Sequence, residues 1–205
     1  MKYRGLAVAS LCMALGACAT TTSKPVPRAQ VEIQEQVGFT ITESVTVSES
    51  VRMDYERALV LLEQGQEAQG IALLETVVAT APGISGPRID LGVAMHRTGD
   101  LESAEKHLLS ALELTPDHPV VHNELGIIYR KTGRFAESRR SYEAALAVYP
   151  GYHHARRNLG VLCELYLADL QCALASYEAY MQTVPGDDQA SMWIADLRNR
   201  VGQQE

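Results

Sequence analysis

Pro82, Pro116, Pro150 and Pro185 recur at intervals of 34, 34 and 35 residues. The segments before them match in character: "IALLETVVATAP", "AEKHLLSALELTP", "SRRSYEAALAVYP" and "ALASYEAYMQTVP". Further upstream lie "RIDLGVAMHRTGD", "HNELGIIYRKTGR" and "RRNLGVLCELYLAD". Apolar residues at helical spacing, a glycine between the two segments and a proline after the second describe a pair of antiparallel helices. Glycine at a helix end supplies a left-handed backbone at little steric cost. Proline past the second helix stops it, because proline cannot continue the hydrogen-bond ladder. Units of this size cannot bury their apolar faces alone, so neighbours must stack into an array.

The pattern resembles the tetratricopeptide repeat. Leu91-Gly92, Leu125-Gly126 and Leu159-Gly160 match that family's Leu-Gly pair in the first helix, and Met95, Tyr129 and Cys163 its large inner position. Gly99 and Gly133 match the turn glycine, and Ala104, Ser138 and Ala173 the small residue of the second helix. Leu108, Tyr142 and Tyr177 take its large position, and Ala111, Ala145 and Tyr180 the next. The resemblance implies an all-α fold: a right-handed superhelix of about four helix-turn-helix units at 51–84, 85–118, 119–152 and 153–186. The first unit has Ala58 where glycine is usual and Gly70 where alanine is usual. The fourth lacks the turn glycine and carries one extra residue around Leu165 to Leu170. Residues 187–205 read as a capping helix and tail, with Asp187 or Asp188 as its N-cap and Trp193 in its core.

The N-terminal end has a different composition. Lys2 and Arg4 precede an uncharged run from Gly5 to Ala17, too short to cross a bilayer core but laid out as an export signal. It closes with Leu15-Gly16-Ala17-Cys18, which resembles the lipobox of bacterial lipoproteins. The resemblance implies a signal peptide at 1–17 that is removed, and acylation of Cys18 on its sulfur and new amine. With Ala at position 19 it implies an anchor at the periplasmic face of the outer membrane. Residues 18–50 read as a lipidated tether and linker. Within them Val37, Phe39, Ile41, Val45 and Val47 alternate with polar residues, as a short strand over 37–47 would. The alternatives are a disordered linker, or an arm that pairs with a partner's sheet edge or lies along the helical body.

The full chain carries 18 basic and 25 acidic residues. Loss of Lys2 and Arg4 with the leader leaves 16 basic residues and a net charge of −9. This acidic balance argues against general nucleic-acid binding, which runs on basic surface. With Cys12 in the leader and Cys18 acylated, Cys163 and Cys172 remain as a pair. They form either a disulfide clamping the glycine-less turn or two buried thiols.

No catalytic constellation, phosphate loop or cofactor motif is present. The histidines do not converge on a metal: His118 precedes Pro119 and so falls outside its helix, and the adjacent His153 and His154 are expected to point apart. The expected molecule is therefore not an enzyme and takes no cofactor and no metal.

In the family that the repeats resemble, first helices line a concave face that holds protein segments. The matching positions are Tyr55 and Leu59 in the first unit, and Ile89, Val93 and Arg97 in the second. Asn123, Ile127 and Arg130 follow in the third, and Arg157, Asn158 and Val161 in the fourth. The resemblance thus implies a lipid-anchored adaptor with a protein partner. In layout it is similar to pilotin-type lipoproteins of type IV or Tad pilus assembly. The alternative is a scaffold for peptidoglycan hydrolases or for outer-membrane protein assembly.

Overall fold

Each interval between prolines folds as two helices. The structure, a computed structural model, describes residues 30–34, 38–42 and 45–203. Two strands, β1 (Gln30–Gln34) and β2 (Gly38–Thr42), precede four helix pairs. The pairs are α1 (Glu49–Glu63) with α2 (Glu67–Thr80), α3 (Gly86–Thr98) with α4 (Leu101–Leu114), α5 (Pro119–Lys131) with α6 (Phe135–Val148), and α7 (His153–Leu165) with α8 (Leu170–Thr183). The helix α9 (Asp188–Gly202) follows alone. The leader, Cys18 and the tether up to residue 29 lie outside the described residues. No helix among the described residues is long and apolar enough to cross a membrane.

Local chemistry sets the helix ends. Ser48, Asp100, Asp169 and Asp187 each accept a backbone N–H three residues on, capping α1, α4, α8 and α9. Asp187 therefore starts α9, and Asp188 is its first helical residue. Gly65, Gly99 and Gly133 take φ of 73°, 91° and 77° in the turns inside the first three pairs. In the fourth pair that left-handed duty falls to Ala168, at φ 52°. Cys163 and Cys172 flank this turn with their sulfurs bonded and their Cα atoms 5.8 Å apart.

The helix crossings depend on missing side chains. A Cβ on Gly92 would lie 2.7 Å from Leu108 Cγ, and one on Gly160 would lie 2.5 Å from Tyr177 Cε1. The first pair reverses the roles: Gly70 of α2 gives the space, and Leu62 of α1 fills it at 2.6 Å from the added carbon. The departure seen in that unit's sequence is thus an exchange of partners that keeps the same close approach. Tyr142, Leu74, Leu91, Leu108, Ile128, Leu162 and Leu197 are among the largest fully enclosed side chains.

Helix α9 stands where a fifth first helix would stand. Ile194 and Leu197 are buried, and the Trp193 ring packs 5.2 Å from that of Tyr177. Its Arg198 occupies the position held by Met95, Tyr129 and Cys163 in the preceding units and pairs instead with Glu178 at 2.7 Å. A charge at that position gives α9 a polar outer face, as the end of a stack requires.

β1 and β2 pair antiparallel, Val31 opposite Ile41 and Ile33 opposite Phe39. Of the strand expected over 37–47, among the described residues only Gly38–Thr42 forms, and Val45 and Val47 lie outside it; it pairs inside this chain, with a partner strand that the tether reading did not include. Its Phe39 ring meets His118, Tyr149 and Tyr152 at 6.0, 5.9 and 6.3 Å, so the β-hairpin rests on the loop edge of the third and fourth units.

Candidate functional site

First helices approach one another, α3 with α5 and α5 with α7, while second helices make no comparable approach. The stack therefore curves with the first helices on its inner face. On that face Leu59, Val93, Ile127 and Val161 recur every 34 residues, all half-buried. Helices in contact sit about 8–10 Å apart, so these side chains form one aliphatic stripe crossing the array. At its start Leu59 and Val93 line a cleft of about 270 Å³ with Leu62, Asp90 and Arg97.

The polar groups beside the stripe are mostly engaged. The Tyr55 hydroxyl donates to Asp90, whose burial pushes its carboxyl up from the usual range, an effect that hydrogen bond opposes. Asn158 Nδ2 donates to Asn123 Oδ1 at 2.9 Å. His96 Nδ1 lies 3.3 Å from a Glu124 oxygen. Arg130 donates to the Tyr166 hydroxyl at 3.3 Å and stands 5.5 Å from that ring's centre. Glu164 takes hydrogen bonds from Arg200 at 3.0 Å and Tyr177 at 3.2 Å. Arg97 pairs with Glu67 at 2.8 Å, and Arg157 stands over Trp193 at 5.4 Å. Most of these contacts join one unit to the next, so residues that read as ligand groups act as staples between repeats.

The expected groove residues thus divide. Leu59, Val93, Ile127 and Val161 present apolar surface, and Arg97 and Arg157 remain exposed. Tyr55, Arg130 and Asn158 are half-buried and partnered. Ile89 and Asn123 are drawn into the body, at 7% and 3% exposure. Ile89 packs in the core of the first two pairs, and Asn123 is covered where α5 meets α7. Helical spacing places a residue on a face but does not say whether the neighbouring helix covers it.

Cys163 and Cys172 also lie within 4.8 Å of an Asp169 oxygen, a spacing that suits a metal ion. The sulfurs are joined to each other, and the Asp169 oxygens accept from the Cys172 N–H and from Arg139. The trio is a clamp on the fourth turn. His153 and His154, expected to diverge, have ring centroids 4.0 Å apart.

Sequence reasoning missed two features. Tyr166, beneath Arg130, sits in the lengthened fourth turn, where the repeat pattern has no counterpart. The aromatic seat of Phe39 joins residues up to 113 positions apart; its only local signal is the pair of tyrosines flanking Pro150-Gly151.

Two tetratricopeptide-repeat family profiles match residues 87–150 and 123–188. The anaphase-promoting complex subunit CDC16 of Saccharomyces cerevisiae is 28% identical over 85 residues, covering 42% of this chain and 10% of that protein. The chain thus spans only about a tenth of that curated relative's length. Among solved structures, MamA from Desulfovibrio magneticus superposes with a TM-score of 0.68 at 16% identity, covering 77% of this chain and 88% of that one. The structure of pilF from Pseudomonas aeruginosa gives 0.67 at 18% identity, covering 76% and 70%. At these identities the likeness is one of fold. Residues 87–188 are tetratricopeptide repeats, and the helical body around them has the tetratricopeptide-repeat fold.

Proposed function

We propose that this protein is a non-enzymatic adaptor that holds an apolar-faced segment of another protein along its inner face. The observation that carries this reading is the stripe of Leu59, Val93, Ile127 and Val161, left partly exposed while the polar groups around it staple the repeats together. An apolar groove of this kind takes the hydrophobic face of a helix or alternate side chains of an extended strand. Affinity then comes from burying the stripe, and Arg97 and Arg157 at its margins orient the segment.

The reading extends to an anchor at Cys18 on the periplasmic face of the outer membrane, and to a role in assembling a pilus-type or secretion complex. Its support there is the charged start, short apolar run and Leu-Gly-Ala-Cys close of the leader. A photo-crosslinking residue at Ile127 in intact cells, with one at exposed Leu109 on α4 as control, tests the groove. A partner captured at 127 and lost in Val93→Asp supports it; capture at 109 alone refutes it. Mass spectrometry of the native protein tests the anchor, and an unmodified Cys18 refutes it.

A further inference from the structure

Beside the β-hairpin, on the loop edge and away from the stripe, lies a cavity of about 870 Å³. Ile33 of β1, Phe39 of β2, Tyr149 and Tyr152 form its apolar wall, and His154 and Gln182 stand among its polar groups. Among the described residues no Asp, Glu, Lys or Arg lines it, in a chain of which 21% is charged. Partial desolvation, with His153 and Arg157 nearby, pushes His154 below the ordinary histidine range. A charged group entering this space would lose water and meet no counter-charge among the described lining residues. Cavities of this size, largely apolar with a few polar groups, suit small ligands or anchoring side chains.

The hairpin supplies the rest of a recognition surface. Its Val31, Ile33, Phe39 and Ile41 share one face, because they pair across the strands in register. Among the described residues the sheet has two strands, so β1 pairs with β2 on one side and has no strand partner among them on the other. Such an edge is a template for an added strand, and a two-stranded sheet gains most from a third.

We propose that this cavity is a second binding site, taking an uncharged, extended segment of a partner protein. That segment adds to the outer edge of β1 and sends a large aromatic or aliphatic side chain into the cavity that Ile33, Phe39, Tyr149 and Tyr152 border. The site is independent of the inner-face reading, since it shares no residue with the stripe.

The test uses the ¹⁵N-labelled chain and the peptide acetyl-Thr-Trp-Thr-Ile-Thr-amide. Comparison ligands are the same peptide with Lys in place of Trp, and octyl glucoside as an uncharged alkyl group. Saturable amide shifts confined to β1, Phe39 and Tyr149–His154, with Ile127 unmoved, are expected. Gln182→Arg, on the exposed surface of α8, puts a charge at the cavity's lip and should weaken binding at least tenfold while leaving the melting curve unchanged. Equal response to the Lys peptide, or shifts on the stripe alone, would overturn the proposal. So would saturation by octyl glucoside but not by the Trp peptide, or full-strength peptide binding by the Gln182→Arg variant.

Discussion

Replacing Ala168 by glycine should make the protein more stable. Three of the four intra-pair turns place a glycine in the left-handed region, and the fourth forces Ala168 to φ 52°. A residue with a Cβ in that region carries roughly 1–2 kcal/mol of steric cost. Glycine removes the cost and returns part of the gain as extra chain entropy in the unfolded state, roughly 0.5–1 kcal/mol. The net gain is about 1 kcal/mol, or a rise of about 2–4 °C in melting temperature for a body of this length. Ala168 is exposed, so the substitution opens no cavity. Gly133→Ala is the mirror image: φ is 77° and nothing lies within 4 Å of the added Cβ, so its loss of similar size is pure backbone strain. The disulfide enters as a coupling. In the chain-entropy model a bridge between Cys163 and Cys172, nine residues apart, is worth about 2–3 kcal/mol. Reduction should lower stability by that amount, free the turn to relax, and shrink the gain from Ala168→Gly. Melting curves of both forms with and without reductant read all four states, and hydrogen exchange in α7 and α8 localises the effect. An oxidised Ala168→Gly protein no more stable than the parent would refute the strain argument.

Gly160→Ala should lower stability by about 1–3 kcal/mol, read as a fall in denaturation midpoint, because its methyl would enter the space of the buried Tyr177 ring. His118 is buried and pushed down to about 4, chiefly by burial, with His122 adding to it. The folded state therefore binds fewer protons than the unfolded state between pH 6.5 and 4. Stability is full above 6.5 and falls as pH drops through that window, by about 3 kcal/mol. His118→Asn, which keeps an N-cap acceptor for the Val121 N–H, should remove that part of the pH dependence in chemical denaturation. Phe39→Ala should abolish hydrogen-exchange protection in β1 and β2 while leaving the helices protected, because its ring makes the hairpin's aromatic contacts with the helical body.

The repeat itself was fully legible in the sequence. Helix pairs, their turns and their stops follow from glycine, proline and apolar spacing within about 34 residues. Helix ends are set locally for the same reason: capping and backbone conformation are local properties. The reversed crossing at Ala58 and Gly70 was visible as a departure, but that Leu62 fills the gap needed both helices in place. The disulfide was legible only as an alternative, since nine residues of separation allow bonded or merely adjacent cysteines until the turn geometry is known.

The inner face shows where sequence reading stopped. Periodicity assigned Asn123, Ile89, Arg130 and Leu59 to one side of their helices with equal force. Only the packing of neighbouring pairs separated them: it buried the first two, tied Arg130 to Tyr166, and left Leu59 beside an open cleft. Nor could spacing show that Phe39 would find His118, Tyr149 and Tyr152. Hydrogen bonds within a helix reach four residues along the chain and are written into its local sequence. Whether a side chain stays free depends on the angle at which another helix, a whole repeat away, comes to rest against it.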